Sequence, residues 1–238
     1  MHGPPGTGKT TTVVELIRQA VQRGETVLAT APSNLAVDNI FERLLAAPEL
    51  TAGNQVIRLG HPARVLPHLQ DQTLEAIVDN HPDMAVARKL HKDAAAVRVQ
   101  AGKWSRAKPE RGARQEQRRE ARAMVDDARR IESQLVQRIL DGAKVVCATT
   151  SGLDDRLMAG RSFDLCVIDE AAQSTEPGNW VPLLYSQRLV LAGDHQQLPP
   201  TIISRQAQTE GYGVSLMERL MDGNHAAGQS PDLSRQLI

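Results

Sequence analysis

Gly3-Pro4-Pro5-Gly6-Thr7-Gly8-Lys9-Thr10, with Thr11 directly behind it, opens the chain and decides its fold. The eight residues match G-x-x-x-x-G-K-[ST] in full. Phosphate oxygens need many donors at close range, and glycines let backbone N–H groups turn inward around an anion. The segment after the loop carries Val13, Val14, Ile17, Ala20 and Val21 at helical spacing. A helix over Thr11–Arg23, stopped by Gly24, would add its positive N-terminal end to the same anion. Gly3, Pro4, Pro5, Gly6, Thr7, Gly8, Lys9, Thr10 and Thr11 are therefore the candidate nucleotide-binding residues. Lys9 would reach the β- and γ-phosphates, and the Thr10 hydroxyl would ligate Mg²⁺.

Outward from the loop, helix and strand patterns alternate. Thr26–Thr30 reads as a short buried strand, Pro32-Ser33-Asn34 as a turn with helix-capping residues, Ala36–Ala46 as a helix and Gln55–Leu59 as a strand. Lys144–Thr149, Leu165–Ile168 and Arg188–Ala192 are short continuous apolar runs, as in strands of a parallel sheet covered on both faces. Residues 61–141 break the rhythm. His81–Val99 reads as one helix. Met124, Ala128, Ile131, Leu135 and Ile139 draw one narrow apolar stripe along a second, between Gly112 and Leu140. Gly102–Gly112, with Trp104 and Pro109, would be the turn between them. The expected organisation is an α/β domain in two parts, residues 1–60 and 142–238, with a helical hairpin inserted at 61–141.

Composition bounds the possibilities. The chain has 238 residues, 41% hydrophobic and 24% charged, with 28 Lys and Arg against 28 Asp and Glu. A uniformly basic nucleic-acid binder is excluded, but a local basic patch is not. Residues 88–144 hold 16 basic against 8 acidic side chains, and the remainder compensates. Arg111, Arg114, Arg118, Arg119 and Arg122 can be read as a phosphate-tracking surface. They can equally be read as a solvated face, with Glu116 and Glu120 one turn from arginine partners. Aromatic residues are 3%, too few for wide base-stacking platforms. Cys147 and Cys166 sit in apolar runs and read as buried small hydrophobes in a reducing compartment. The seven histidines are scattered, and His195 has no evident metal partners. No apolar run approaches ~18 residues and no basic-then-apolar leader opens the chain, so neither a membrane span nor a secretory signal is expected.

Two more segments carry chemistry. Val167-Ile168-Asp169-Glu170 places an acidic pair at the end of a buried strand, the edge where open α/β sheets bind ligands. Asp169 would hold Mg²⁺, and Glu170 would take a proton from the attacking water. Gly193-Asp194-His195-Gln196-Gln197 follows the next strand, and Gln197 could hydrogen-bond a γ-phosphate or its water.

Taken in order, GPPGTGKT, ATAPSNLAVDNI, VIDEAAQSTEP, LVLAGDHQQLPPT and SLMERL resemble the superfamily 1 helicases. Within them the chain is similar to the branch of the nonsense-mediated-decay helicase and to the immunoglobulin mu-binding protein 2 type, whose RLGHPAR segment is matched by Arg58–Arg64. The resemblance implies a RecA-like P-loop NTPase domain, ATP with Mg²⁺, and 5′→3′ movement on single-stranded DNA or RNA by a monomeric motor. No membrane partner is implied. It makes Lys9, Asp169, Glu170 and Gln197 catalytic, and has Gln173 and Gln197 linking the γ-phosphate to a neighbouring domain. Ser33, Asn34, Thr149, Thr150 and Ser151 would lie on the nucleic-acid backbone, and cytoplasmic, also nuclear, residence is expected. Ser33 and Asn34 read equally as plain helix capping.

The resemblance also frames expectations about the ends. Only Met1 and His2 precede the loop, so the strand leading into it and an upstream β-barrel segment are expected to be missing. Leu233–Gln236 starts like the family's fourth motif, so the second RecA-like domain and its arginines are expected to be missing too. The chain alone is then expected to bind ATP weakly, hydrolyse it slowly and unwind nothing, with an exposed sheet position where the first strand would lie. The alternative reading is a non-catalytic ATP-binding or interaction module derived from a helicase. A helicase fused to a nuclease finds no carboxylate-and-lysine constellation in the chain.

Overall fold

The computed structural model describes residues 1–4, 6–50, 53–102, 112–194, 196–227 and 234–237, without the side chains of 113 and 223–227. Pro5, Trp104, Pro109, Arg111, Leu233 and His195 lie outside the described residues.

Five strands form one parallel sheet: β1 (Val27–Ala31), β2 (Val56–Arg58), β3 (Val145–Thr149), β4 (Leu165–Ile168) and β5 (Leu189–Leu191), in the order β2-β3-β1-β4-β5. β1 is wholly buried and central, its Ala31 opposite Thr149 and its Thr30 opposite Ile168. Helix α1 (Lys9–Gln22) turns Val13, Ile17 and Ala20 inward, and α2 (Asn34–Leu45) turns in Val37, Ile40, Phe41 and Leu44. Both faces pack on Val27, Ala29, Val145, Cys147 and Val167. Fully burying each large aliphatic side chain is worth ~1.5–3 kcal/mol, which is why the continuous apolar runs become inner strands. Both cysteines are buried and free, and burial pushes each thiol up to about 12.

The chain divides into two compact units, residues Met1–Thr73 with Gly142–Ile238, and Leu74–Asp141. The sequence pattern started the insertion at residue 61. The structure moves that boundary to Leu74, because Val65 and Leu69 are buried in the core of the α/β unit.

The second unit holds α3 (Leu74–Asn80), α4 (Pro82–Gly102) and most of α5 (Ala113–Gly142). In α5 the fully buried positions are Ala121, Ala128 and Leu135, seven residues apart; in α4, Ala87, Ala94 and Ala101 repeat the spacing. His91 Nε2 lies 3.0 Å from Glu132 Oε1, and Arg138 Nη1 donates to Asp83 Oδ2 at 3.0 Å, so the two helices run antiparallel. The expected stripe is thus narrower than drawn: Met124, Ile131 and Ile139 are only half-buried. Arg114, Arg118, Arg119 and Arg122 are exposed. The pairing expected with Glu116 and Glu120 does not form among the described residues.

Beyond β5 the sheet gains more than was expected. The Met1 amino group donates to Leu191 O at 3.0 Å, and His2 forms parallel bridges with Gly193 and Gln236. His2 N donates to Arg235 O at 2.9 Å, and Leu237 N to His2 O at 2.8 Å. The position beside β5 is therefore taken by Met1–His2, with Arg235–Leu237 next to it. Two residues cannot cover a whole strand, and Leu189, Val190 and Leu191 stay half-buried. Among the described residues no helix is long and apolar enough to cross a membrane.

Candidate nucleotide site and nucleic-acid edge

The loop before α1 turns through two glycines in the left-handed region, Gly6 (φ 83°) and Gly8 (φ 81°), a conformation L side chains rarely adopt. The first turn of α1 carries no acidic residue, so its positive end is left for an anion. Lys9 is 9% exposed. Its Nζ donates to Gly3 O at 2.7 Å and Pro4 O at 3.0 Å, which holds the ammonium inside the curve of the loop. Thr7 Oγ1 closes the turn on Pro4 O at 2.8 Å.

β4 delivers the acidic pair to this loop. Thr10 Oγ1 donates to Asp169 Oδ2 at 3.3 Å, across 159 residues of chain. The other Asp169 oxygen accepts the Glu170 N–H at 2.9 Å. Burial pushes the Asp169 carboxyl up, against the downward pull of the Glu170 N–H, the Thr10 hydroxyl and the Lys9 charge. Glu170 is raised by burial first and by the Asp169 charge second. Its backbone is left-handed (φ 52°), a strained state for a residue with a Cβ and one that collects at functional sites. A hydroxyl and a carboxylate oxygen side by side form the hard donor set that Mg²⁺ takes together with phosphate oxygens and waters.

β5 brings in the third segment. A Cβ on Gly193 would lie 3.1 Å from Met217 Sδ and 3.2 Å from the Ala171 nitrogen, so a side chain here would press this turn away from the residues after Glu170. Asp194 then accepts from Gln196 N at 3.0 Å and from Gln197 Nε2 at 2.9 Å. The result is an open cleft of about 430 Å³ lined by Gly6, Gly8, Lys9, Thr10 and Thr11 on one side and Glu170 and Gln197 on the other. Its remaining wall is Arg43 from α2, whose Nη1 donates to Thr11 Oγ1 at 2.8 Å. Sequence reasoning missed Arg43, because no motif includes it and only the packing of α2 beside α1 brings it here. Gln173 is exposed and does not line the cleft; its Nε2 holds Glu170 Oε2 at 3.0 Å. In this structure Gln173 meets the cleft through Glu170.

A second group gathers at the same sheet edge. β1 and β3 are neighbours, and Thr150 N donates to Ala31 O at 3.0 Å, so the segments after the two strands emerge together. Ser33 caps α2 by accepting from Ala36 N at 3.2 Å, as its capping reading requires. Ser33 and Ser151 are exposed, and Asn34 and Thr149 partly so. Thr150 departs from expectation: it is 5% exposed, turned into the protein at the point where its backbone pairs with β1.

Comparison with known proteins falls on the same residues. A family model described as an AAA domain matches residues 1–205. The DNA-binding protein SMUBP-2 of Mesocricetus auratus is 40% identical over 96% of this chain, which covers 22% of that protein. The DNA polymerase alpha-associated DNA helicase A of Schizosaccharomyces pombe is 39% identical over 93% of the chain and 31% of its own length. An ATP-dependent helicase of Methanocaldococcus jannaschii is 32% identical over 93% and 37%. The chain thus spans between about a fifth and two fifths of these relatives. A P-loop, an acidic strand end and a glutamine turn converge on one cleft inside the matched region, and the chain belongs to the AAA domain family, with a P-loop fold of the superfamily 1 helicase type.

Proposed function

We propose that this domain hydrolyses ATP with Mg²⁺ and couples the reaction to 5′→3′ movement on single-stranded DNA or RNA. The observation that carries the reading is the 3.3 Å contact between Thr10 and Asp169, which joins the phosphate loop to the acidic pair. Backbone N–H groups of Gly6–Thr10 and the Lys9 ammonium would bind the phosphates. Thr10 and Asp169 would hold Mg²⁺, which neutralises charge developing on the β- and γ-phosphates. Glu170 would accept a proton from the attacking water; burial and the Asp169 charge raise its pKa, which makes it a stronger base than an ordinary Glu. Gln173 would keep the Glu170 carboxylate oriented, and Gln197 would contact the γ-phosphate or that water. Ser33, Asn34, Thr149 and Ser151 would meet the nucleic-acid backbone, fixing position without reading sequence.

The motor would act as a monomer. Full turnover would draw on arginines from a second RecA-like domain, an effect worth ~10³–10⁵ in rate in related enzymes. Residence in the cytoplasm, and also the nucleus, fits the same reading. Phosphate release from Mg²⁺-ATP, with and without single-stranded oligonucleotide, tests the proposal. Turnover that disappears in Glu170→Gln is expected; a variant as active as the parent would refute it.

A further inference from the structure

The largest fully buried side chain of the α/β unit is a charged one, Arg58, at the end of β2. Burying a guanidinium is costly unless every donor is matched, so each of its partners has a purpose to explain. Nε donates to Asp38 Oδ1 at 2.9 Å, an ion pair with side chains only 1% and 2% exposed. Nη1 donates to the carbonyl of Leu59. Nη2 donates to Asn34 Oδ1 at 2.9 Å. Asp38 is engaged on its other side too, where Oδ2 accepts Leu66 N at 2.9 Å. The charge is thus neutralised internally, and the arm of the network that ends on a partly exposed polar side chain ends on Asn34.

That arm constrains the asparagine. An amide side chain has an acceptor end and a donor end, and only its surroundings decide which way round it sits. A guanidinium has donors and no acceptor, so the Asn34 oxygen must face Arg58. The Nδ2 group is then turned away from the network, and it makes no hydrogen bond among the described residues. A hydrogen bond from a cation also polarises the amide, which strengthens Nδ2–H as a donor.

We propose that Arg58, held by Asp38, is a positioning residue that locks the Asn34 amide with its donor outward, so that this edge presents N–H to a phosphate backbone and never a carbonyl oxygen. The inference rests on the reading above that Asn34 meets nucleic acid. It goes further in giving the buried pair a task beyond stability. It also makes the matched Arg58–Arg64 segment part of the nucleic-acid machinery.

Asn34→Asp tests it cleanly. The substitution keeps an oxygen for Arg58 and replaces the outward donor with a second carboxylate oxygen, so folding is expected to hold. Binding of the chain to fluorescent oligothymidine and oligouridine at low salt is expected to weaken about ten-fold or more, with no loss of thermal stability. Arg58→Lys is the complementary variant. An ammonium cannot reach three acceptors in fixed directions, so Asn34 is released. The Asn34 side-chain NH₂ resonances of the parent should move on adding oligonucleotide and stay still in Arg58→Lys, while the Ser151 amide still responds. If Arg58→Lys does not fold, Asn34→Asp decides alone. Asn34→Asp binding like the parent while Ser151→Ala binds more weakly overturns this inference and leaves the edge reading intact. No oligonucleotide binding by the parent overturns both.

Discussion

Asp38 and Asp169, the two most deeply buried carboxylates of the α/β unit, are treated in opposite ways. At the knot between β2 and α2, Asp38 meets a guanidinium, a backbone N–H and almost no solvent. At the rim after β4, Asp169 is 2% exposed yet accepts only a hydroxyl and a backbone N–H, and no cation forms an ion pair with it among the described residues. The knot is electrically closed, and the rim is left open. Burial raises this acid despite the nearby Lys9 and Arg43 charges, neither of which is ion-paired with it, and a divalent ion with its phosphates would relieve that cost. The contrast teaches that burial alone does not mark a site. What marks it is burial whose compensation is unfinished.

The largest expected effect separates chemistry from stability at the rim. Glu170→Gln should lower phosphate release by ~10²–10⁴-fold, the range for losing a general base, while urea unfolding changes little. A parallel loss of stability would make the rim a structural feature like the knot. Next, Asp38→Asn should cost ~3–5 kcal/mol in unfolding free energy, because it strands Arg58 uncompensated in the core. Asp169→Asn, by contrast, should stay within ~1 kcal/mol of the parent or exceed it, since it removes a buried charge that forms no ion pair among the described residues. Equal losses at the two positions would erase the distinction.

The smallest effect is a pH dependence. Glu170 is raised in the folded protein, so the fold favours its protonated form. Its ionised form destabilises the fold above the folded pKa, and that penalty fades as pH falls toward the ordinary Glu range. Glu170→Gln should therefore be more stable than the parent near neutral pH, with the advantage shrinking in acid. An advantage that grows in acid would mean the carboxylate is stabilised there.

The cleft was the most legible part of the molecule. Lys9, Thr10, Asp169, Glu170 and Gln197 stand in motifs whose spacing follows from one constraint, a loop and two strand ends meeting at one sheet edge. Helices and inner strands were readable for a related reason: apolar periodicity reports burial directly. Boundaries were less so. Residues 61–73 lack periodicity, and nothing local shows that Val65 and Leu69 reach back into the core.

The sequence alone determined that a phosphate loop opens an α/β sheet, that acids and a glutamine end its strands, and that a charged helical pair interrupts it. Only the tertiary structure decided that Arg43 walls the cleft, that Gln173 holds Glu170, that Thr150 turns inward and that Arg58 aims Asn34. The Arg43 and Arg58 contacts join side chains that lie 32 and 24 residues apart. Such meetings are set by the crossing of helices over the sheet, a property of packing that no stretch of sequence carries by itself.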